Sequence, residues 1–414
     1  MSFHKNPCLR VFATVLALVS VACFLSCGSN YNQFGQMTPG ATSGFKHRIM
    51  LTNSFAGTII IINAQNDVVY GRPISTIPGA QILAEASDGS FTLSYSNGTD
   101  ELYYIDNTTE DVSGSPITLT GDAETLGVLS GNLFAVTASR NAPVNNQPNG
   151  AVFVVDLTNR VIAATISVPL ARRVALNHAG TKVLAFADNT NTAYVIDTTA
   201  YTATPIADPN GVLDRPVTAV FSSDDSTAYI ISCGAECGGT QAKVTAFNPS
   251  SGTLGNSVNV TGATTGILDT SGKLYVAGST GGAGTLQTID TAALTSGTAT
   301  ASAAVAIQDG YHKNMAFSDD GRLYIGSTNC SNVVDSQGNG IQGCLTTYNT
   351  SSQAVVKTAP TGDVTGILPI IGRHVVYVVQ GGELVIYDST KDAPRPQDTQ
   401  INVVGQAYAI LQIS

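Results

Sequence analysis

An all-β ring of repeated four-stranded units is the fold class that this sequence predicts, on three observations. An apolar strand that ends in Asp or Asn, followed by small polar residues, recurs eight times. The instances are IIINAQ (Asn63), YYIDNT (Asp106), FVVDLT (Asp156), YVIDTT (Asp197), TAFNPS (Asn248), QTIDTA (Asp290), TTYNTS (Asn349) and VIYDST (Asp388). From 63 to 388 is 325 residues over seven intervals, about 46 each. A period of roughly 40–50 residues with four strands per unit is that of a β-propeller. Composition agrees. Of 414 residues only 12% are charged, 41 are Gly, 16 are Pro and none is Trp. Hydrophobic residues make up 43%, enough to bury a large core, and long Ala/Leu/Glu/Lys-rich patterns are missing. A disordered chain, a coiled coil and a helical bundle are thereby excluded.

Each repeat reads as strand, tight turn, strand, loop, strand, Asx turn, strand. In 171–206 the first strand is RRVAL, the turn NHAG, the second strand KVLAFA, the third TAYVID and the fourth TATPI. Gly or Asp stands in the first turns (Asp88-Gly89, Gly180, Gly272, Asp320-Gly321), where a tight hairpin needs positive φ. The eight recurring Asp and Asn residues read as strand-end turns, whose side chains accept from amides one or two residues on. They do not read as a metal ring, and Asp225 is read as turn chemistry too.

The ends complete the count. The first unit, HRIMLTNSFAGTIIIINAQNDVVYGRPIS, supplies strands two to four only, and QAYAILQIS at 406–414 supplies a strand one. Pairing the two closes a single propeller of eight blades and removes the open edges that invite aggregation. The repeat resembles the YVTN family of β-propeller repeats (YncE-like), which includes lactonase-like propellers. HAGTKVLAFADNTNTAYVIDTT at 178–199 carries the likeness best. The resemblance spans 46–414 and is weak in any one blade.

The chain's address is written at its N-terminus. His4, Lys5 and Arg10 precede an apolar run at 11–25, too short for the roughly 20 residues of a membrane span. This is an export signal. FLSC at 24–27 resembles a bacterial lipobox, with Phe24 in place of the usual Leu. The resemblance implies a lipoprotein signal over 1–26, lipidated Cys27 as mature N-terminus, and a propeller domain over 46–414. Gly28 after the cysteine is similar to outer-membrane sorting, facing the periplasm or the cell surface. Residues 27–45 then form an uncharged tether spanning roughly 20–25 Å. Four cysteines remain, Cys233, Cys237, Cys330 and Cys344. An even number in an exported chain predicts two disulfides, Cys233–Cys237 and Cys330–Cys344, the latter with Cys330 ending strand two and Cys344 beginning strand three of blade seven. A zinc site is the rival reading, but the two pairs lie in blades five and seven with the wrong spacing for a finger.

Net charge is −10 overall, from 19 basic and 29 acidic residues. Such a surface repels phosphate backbones, so nucleic acid is not an expected partner. The expected partners are the membrane, through the anchor, and a protein or glycan, with the chain a monomer. Loops joining strands two and three share a face with the entries to strand one. They are short in blades one, two, four and eight. They are long in blade three (138–150), five (233–240), six (278–285) and seven (328–344). Insertions on one face of a rigid scaffold predict a recognition surface.

Polar residues entering strand one sit at the channel mouth on that face. Glu124, Arg172, Arg173, Arg215, His312, Lys313 and Asp363 are the candidate ligand contacts, and their positive excess points to an anionic ligand. Catalytic motifs are missing: the sequence has no GxSxG, HExxH, Walker A or CxxC pattern. GNGIQG at 338–343 satisfies GxGxxG outside any strand-to-helix context, and DSQGNG at 335–340 half resembles a calcium loop with Thr346 where Glu belongs. No cofactor and no resident metal are expected. The sequence therefore favours a membrane-anchored binding or scaffold module. The alternative is a lactonase-like hydrolase of a small anionic substrate, working through His312, Arg172 and Arg215.

Overall fold

The computed structural model describes residues 42–75, 77–145, 147–331, 343–391, 393–394, 401, 403 and 405–413. The signal over 1–26, Cys27, most of the tether and both loop motifs of 335–343, save Gly343, lie outside them. Eight antiparallel sheets make an eight-bladed propeller, seven with their strands in chain order and blade one led by the C-terminal strand. Blade four is representative, with strands Ala171–Leu176, Val183–Ala187, Ala193–Asp197 and Thr202–Pro205. The first strands of successive blades contact one another, so they line the central channel.

The ring closes as the repeat count requires. Ala407–Ile413 pairs antiparallel with Arg48–Asn53, Leu411 opposite Met50, as the innermost strand of blade one. A second tie joins the same blades. Arg373 of blade eight holds Asp67 of blade one through two hydrogen bonds, at 2.6 and 3.0 Å. The Tyr377 hydroxyl donates to the same carboxylate.

Hydrophobic burial is distributed around the ring rather than gathered in one core. Eight apolar clusters each draw on two adjoining blades, from blades one and two (Met50, Ile61, Ile105) round to blades eight and one (Ile49, Tyr377, Ile386). Period-two strands pose one face to each neighbour, so each blade's two apolar faces are both covered.

All eight strand-end Asx turns form. Oδ1 of Asp106 accepts from the Thr108 and Thr109 amides, and that of Asn248 from Ser250 and Ser251. The corresponding bonds exist at Asn63, Asp156, Asp197, Asp290, Asn349 and Asp388. Asp290 also caps a short helix, Thr291–Ser296, inserted between strands three and four of blade six. In the first turns Gly89, Gly180, Gly272 and Gly321 all adopt positive φ. Two acids there reach further than a local turn. Asp225 accepts from the His178 and Ala179 amides of the preceding blade, and Asp320 bonds His374 and Ser389 of the next.

Two loop expectations are corrected. The 278–285 segment is not a long loop: Lys273–Thr280 and Ala283–Asp290 run on to a two-residue Gly281-Gly282 turn, with φ of 55° and 81°. Glycine pairs suit that turn because both positions need positive φ. Cys330 does not end strand two of blade seven. That strand is Arg322–Thr328, and Cys344 stands opposite Ser327 in the register.

Candidate functional site

Both predicted disulfides form, with Cα separations of 5.8 Å for Cys233–Cys237 and 6.2 Å for Cys330–Cys344. Both lie on the face that carries the two-to-three loops. In blade five the bridge spans the turn Gly234–Cys237, which directs Glu236 toward the channel mouth. In blade three the loop after Ser139 is packed down by Ala142 and Val144 and presents Arg140 to the same mouth.

The mouth is built around Glu124, on the first strand of blade three. Its carboxylate accepts from Arg172 Nε at 2.7 Å and from Arg173 Nε at 2.8 Å, both from blade four. Burial alone would raise its pKa, but Arg173, Lys313 and Arg172 outweigh this and hold the carboxyl below its ordinary range. Arg173 Nη2 donates to the Tyr311 hydroxyl of blade seven at 2.6 Å, and both arginines lie 5.5 Å from the Tyr311 ring centre. This bridge spans the channel between blades three blades apart. Arg172 also pairs with Asp188 at 3.2 Å, as does Arg140.

Cavities lie on either side of the bridge. One, of about 640 Å³, is walled by blades one, two, three, seven and eight, including Gln81, Asp122, Glu124, Lys313 and Tyr408. Burial pushes the Lys313 ammonium below its ordinary value. Glu124 opposes that shift, and Arg173 and Arg172 add to it. The other, of about 380 Å³, is walled by Arg140, Arg172, Asp188, Arg215, Glu236 and Tyr311 among others. Glu236 is pushed up to about 7 by burial, against the Ser279 amide that donates to it at 2.7 Å.

The structure thus brings together Glu124, Arg172, Arg173 and Lys313, with Arg215 across the second cavity. Asp363 stands apart on the rim, where its carboxylate accepts the Asn329 amide at 3.1 Å. His312 faces away from the mouth. It is 1% exposed, its Nε2 lies 2.9 Å from the Gln308 carbonyl, and burial lowers its pKa to about 4. It therefore stays neutral at physiological pH and lines neither cavity. Tyr311, Arg140, Asp188 and Glu236 were not marked by the repeat pattern. Tyr311 opens strand one of blade seven and Asp188 follows strand two of blade four, while the folding of two loops brings Arg140 and Glu236 to the mouth. Among the described residues no group of three or more His, Cys, Asp or Glu side chains is placed to hold a metal ion.

No protein-family model matches this sequence, the YVTN-type repeat included. No curated protein matches it either. Solved structures do. The dihydro-heme d1 dehydrogenase NirN, in complex with DHE, aligns at a TM-score of 0.64 and 11% identity over 90% of this chain and 77% of that one. The Dos1 propeller aligns at 0.59 and 12%, over 88% of both chains. Apo AztD from Citrobacter koseri aligns at 0.55 and 10%, over 89% and 98%. The likeness is one of fold. Propellers host many unrelated functions, so it assigns no activity.

Proposed function

We propose that this chain is an exported, lipid-anchored propeller of the YVTN repeat kind that acts as a binding or scaffold module through its loop-bearing face. One observation carries the reading. The loops of blades three and five converge on the channel mouth, where packing holds one and a disulfide constrains the other, beside the Glu124 cluster. Loops held rigid on a closed ring recognise a partner without a large ordering cost. The partner class is a protein or glycan. Two formed disulfides accord with an oxidising compartment. The lactonase-like alternative draws nothing from the geometry, because His312 lies outside the cavity that Arg172 and Arg215 share.

Cross-linking mass spectrometry in native membranes tests the reading. The intact protein is compared with a variant in which 143–149 of the blade-three loop and 331–343 of the blade-seven loop are each replaced by a short Gly-Ser turn. A reproducible partner captured by the first and lost by the second is the expected result. Identical captures from both would refute recognition by this face. The anchor has its own test: Cys27→Ala is expected to move the protein from the membrane to the soluble fraction.

A further inference from the structure

The cavity of about 380 Å³ on the blade four and five side of the bridge has an unbalanced wall. Three guanidinium groups, Arg140, Arg172 and Arg215, face two carboxyls, Asp188 and Glu236. Asp188 is already shared between Arg140 and Arg172, each at 3.2 Å. Arg172 spends its Nε on Glu124. Arg215 pairs with no carboxylate among the described residues. Its Nη2 makes one long bond, 3.4 Å, to the Gly238 carbonyl, and its buried Nε has no partner there at all. A buried guanidinium donor without an acceptor costs free energy unless something fills its place. Arginine forks match the oxygens of carboxylate, phosphate and sulfate groups in two-point contacts.

We propose that this cavity is a binding site for a small oxyanion carrying two or more negative charges, held chiefly by Arg215 with Arg140 and Arg172. The proposal deepens the binding-module reading by naming the ligand class of that face. Glu236 makes the site pH-dependent. Below about 7 its carboxyl is protonated and carries no charge to oppose the anion. Above that value it is charged and repels the anion. The charged groups lining the cavity beside it are Arg140, Arg172, Asp188 and Arg215, with Tyr311 the remaining titratable one. The strand Lys273–Thr280 packs against the Glu236 turn and carries its lone charge, Lys273, at its far end. Glu236, pushed up to about 7 by burial, changes its charge between pH 5.5 and 8.5.

Sulfate is the probe, because its own charge is constant over that range. Calorimetric titration of the purified exported domain at pH 5.5 is expected to show saturable binding, weakened about tenfold at pH 8.5 by one added charge at this range. Arg215→Gln is expected to weaken binding at pH 5.5 at least tenfold. Arg140→Gln, at a half-exposed position whose replacement does not threaten the fold, is expected to weaken it as well. Glu236→Gln is expected to leave binding at pH 5.5 intact and remove the pH dependence. Absence of binding at pH 5.5, or binding unchanged in both arginine variants, overturns the site. A pH dependence that survives Glu236→Gln overturns the role of Glu236. Failure of sulfate to bind alongside capture of a loop-dependent partner would sink this inference and leave the binding-module reading standing.

Discussion

Glu124 and Glu236 lie on the same mouth, yet their surroundings drive them in opposite directions. Around Glu124 three cations outweigh burial and lower the pKa; around Glu236 burial is opposed only by one amide. The consequences for stability have opposite signs. Glu124 contributes stability that is present above the unfolded value of 4.5 and is lost as pH falls through its lower folded value. Glu236 carries a penalty that is absent below 4.5, grows as pH rises to about 7, and is constant beyond. Glu124→Ala leaves Arg172, Arg173 and Lys313 facing one another and is expected to cost about 2–3 kcal/mol at neutral pH, read by urea unfolding. Glu236→Gln is expected to stabilise at pH 8 and to change nothing at pH 4, by the same measurement. The sequence marked Glu124 and its arginines because the repeat places them at strand entries. It could not mark Glu236, since a loop residue's burial depends on how that loop folds back. Nor could it place His312, whose inward or outward direction is set by a register shift between His312 and Asn314.

At the level of the strand and turn, the repeat was legible because each blade solves the same local problem. A strand leaving the sheet has unpaired amides, and an Asx side chain satisfies them within two or three residues. Asn248→Ala removes both bonds and is expected to cost about 1 kcal/mol, whereas Asn248→Asp keeps the acceptor and is expected to be neutral. Thermal unfolding of the two variants side by side checks this. Loop length was less legible than turn chemistry. The run GSTGGAGT reads as a loop by composition, but the strands continue through its small residues, and only the glycine pair turns. The blade-seven bridge was legible as a pair and misplaced by two residues, since spacing alone does not say where a strand ends. Its entropic contribution survives that correction. Closing a loop of about 15 residues contributes on the order of 3 kcal/mol, so the Cys330→Ser, Cys344→Ser double variant is expected to lose that amount in denaturant unfolding.

For the molecule as a whole, stability is shared among eight interfaces of similar make-up, and none of the blades is independent of the ring. The closing strand therefore matters more than its seven residues suggest. Ala407–Ile413 supplies the innermost strand of blade one, and its neighbours in space are the first strands of blades eight and two. Removing residues 405–414 would bare Ile49 and Leu51, both fully buried, and leave an unpaired edge in the middle of the ring. The Asp67 latch acts at the same seam through charge rather than backbone pairing. Its loss leaves Arg373 without its two-point acceptor, but keeps the strand ladder whole. The two lesions should therefore differ in kind. Asp67→Ala is expected to lower the unfolding midpoint in denaturant while preserving a single cooperative transition. The truncation is expected to abolish that transition and to expose apolar surface that binds a hydrophobic dye. A truncated chain that still unfolds in one sharp step, with dye binding no greater than the intact protein's, would show that the eight blades hold together without the closing strand and that closure is not what stabilises this ring.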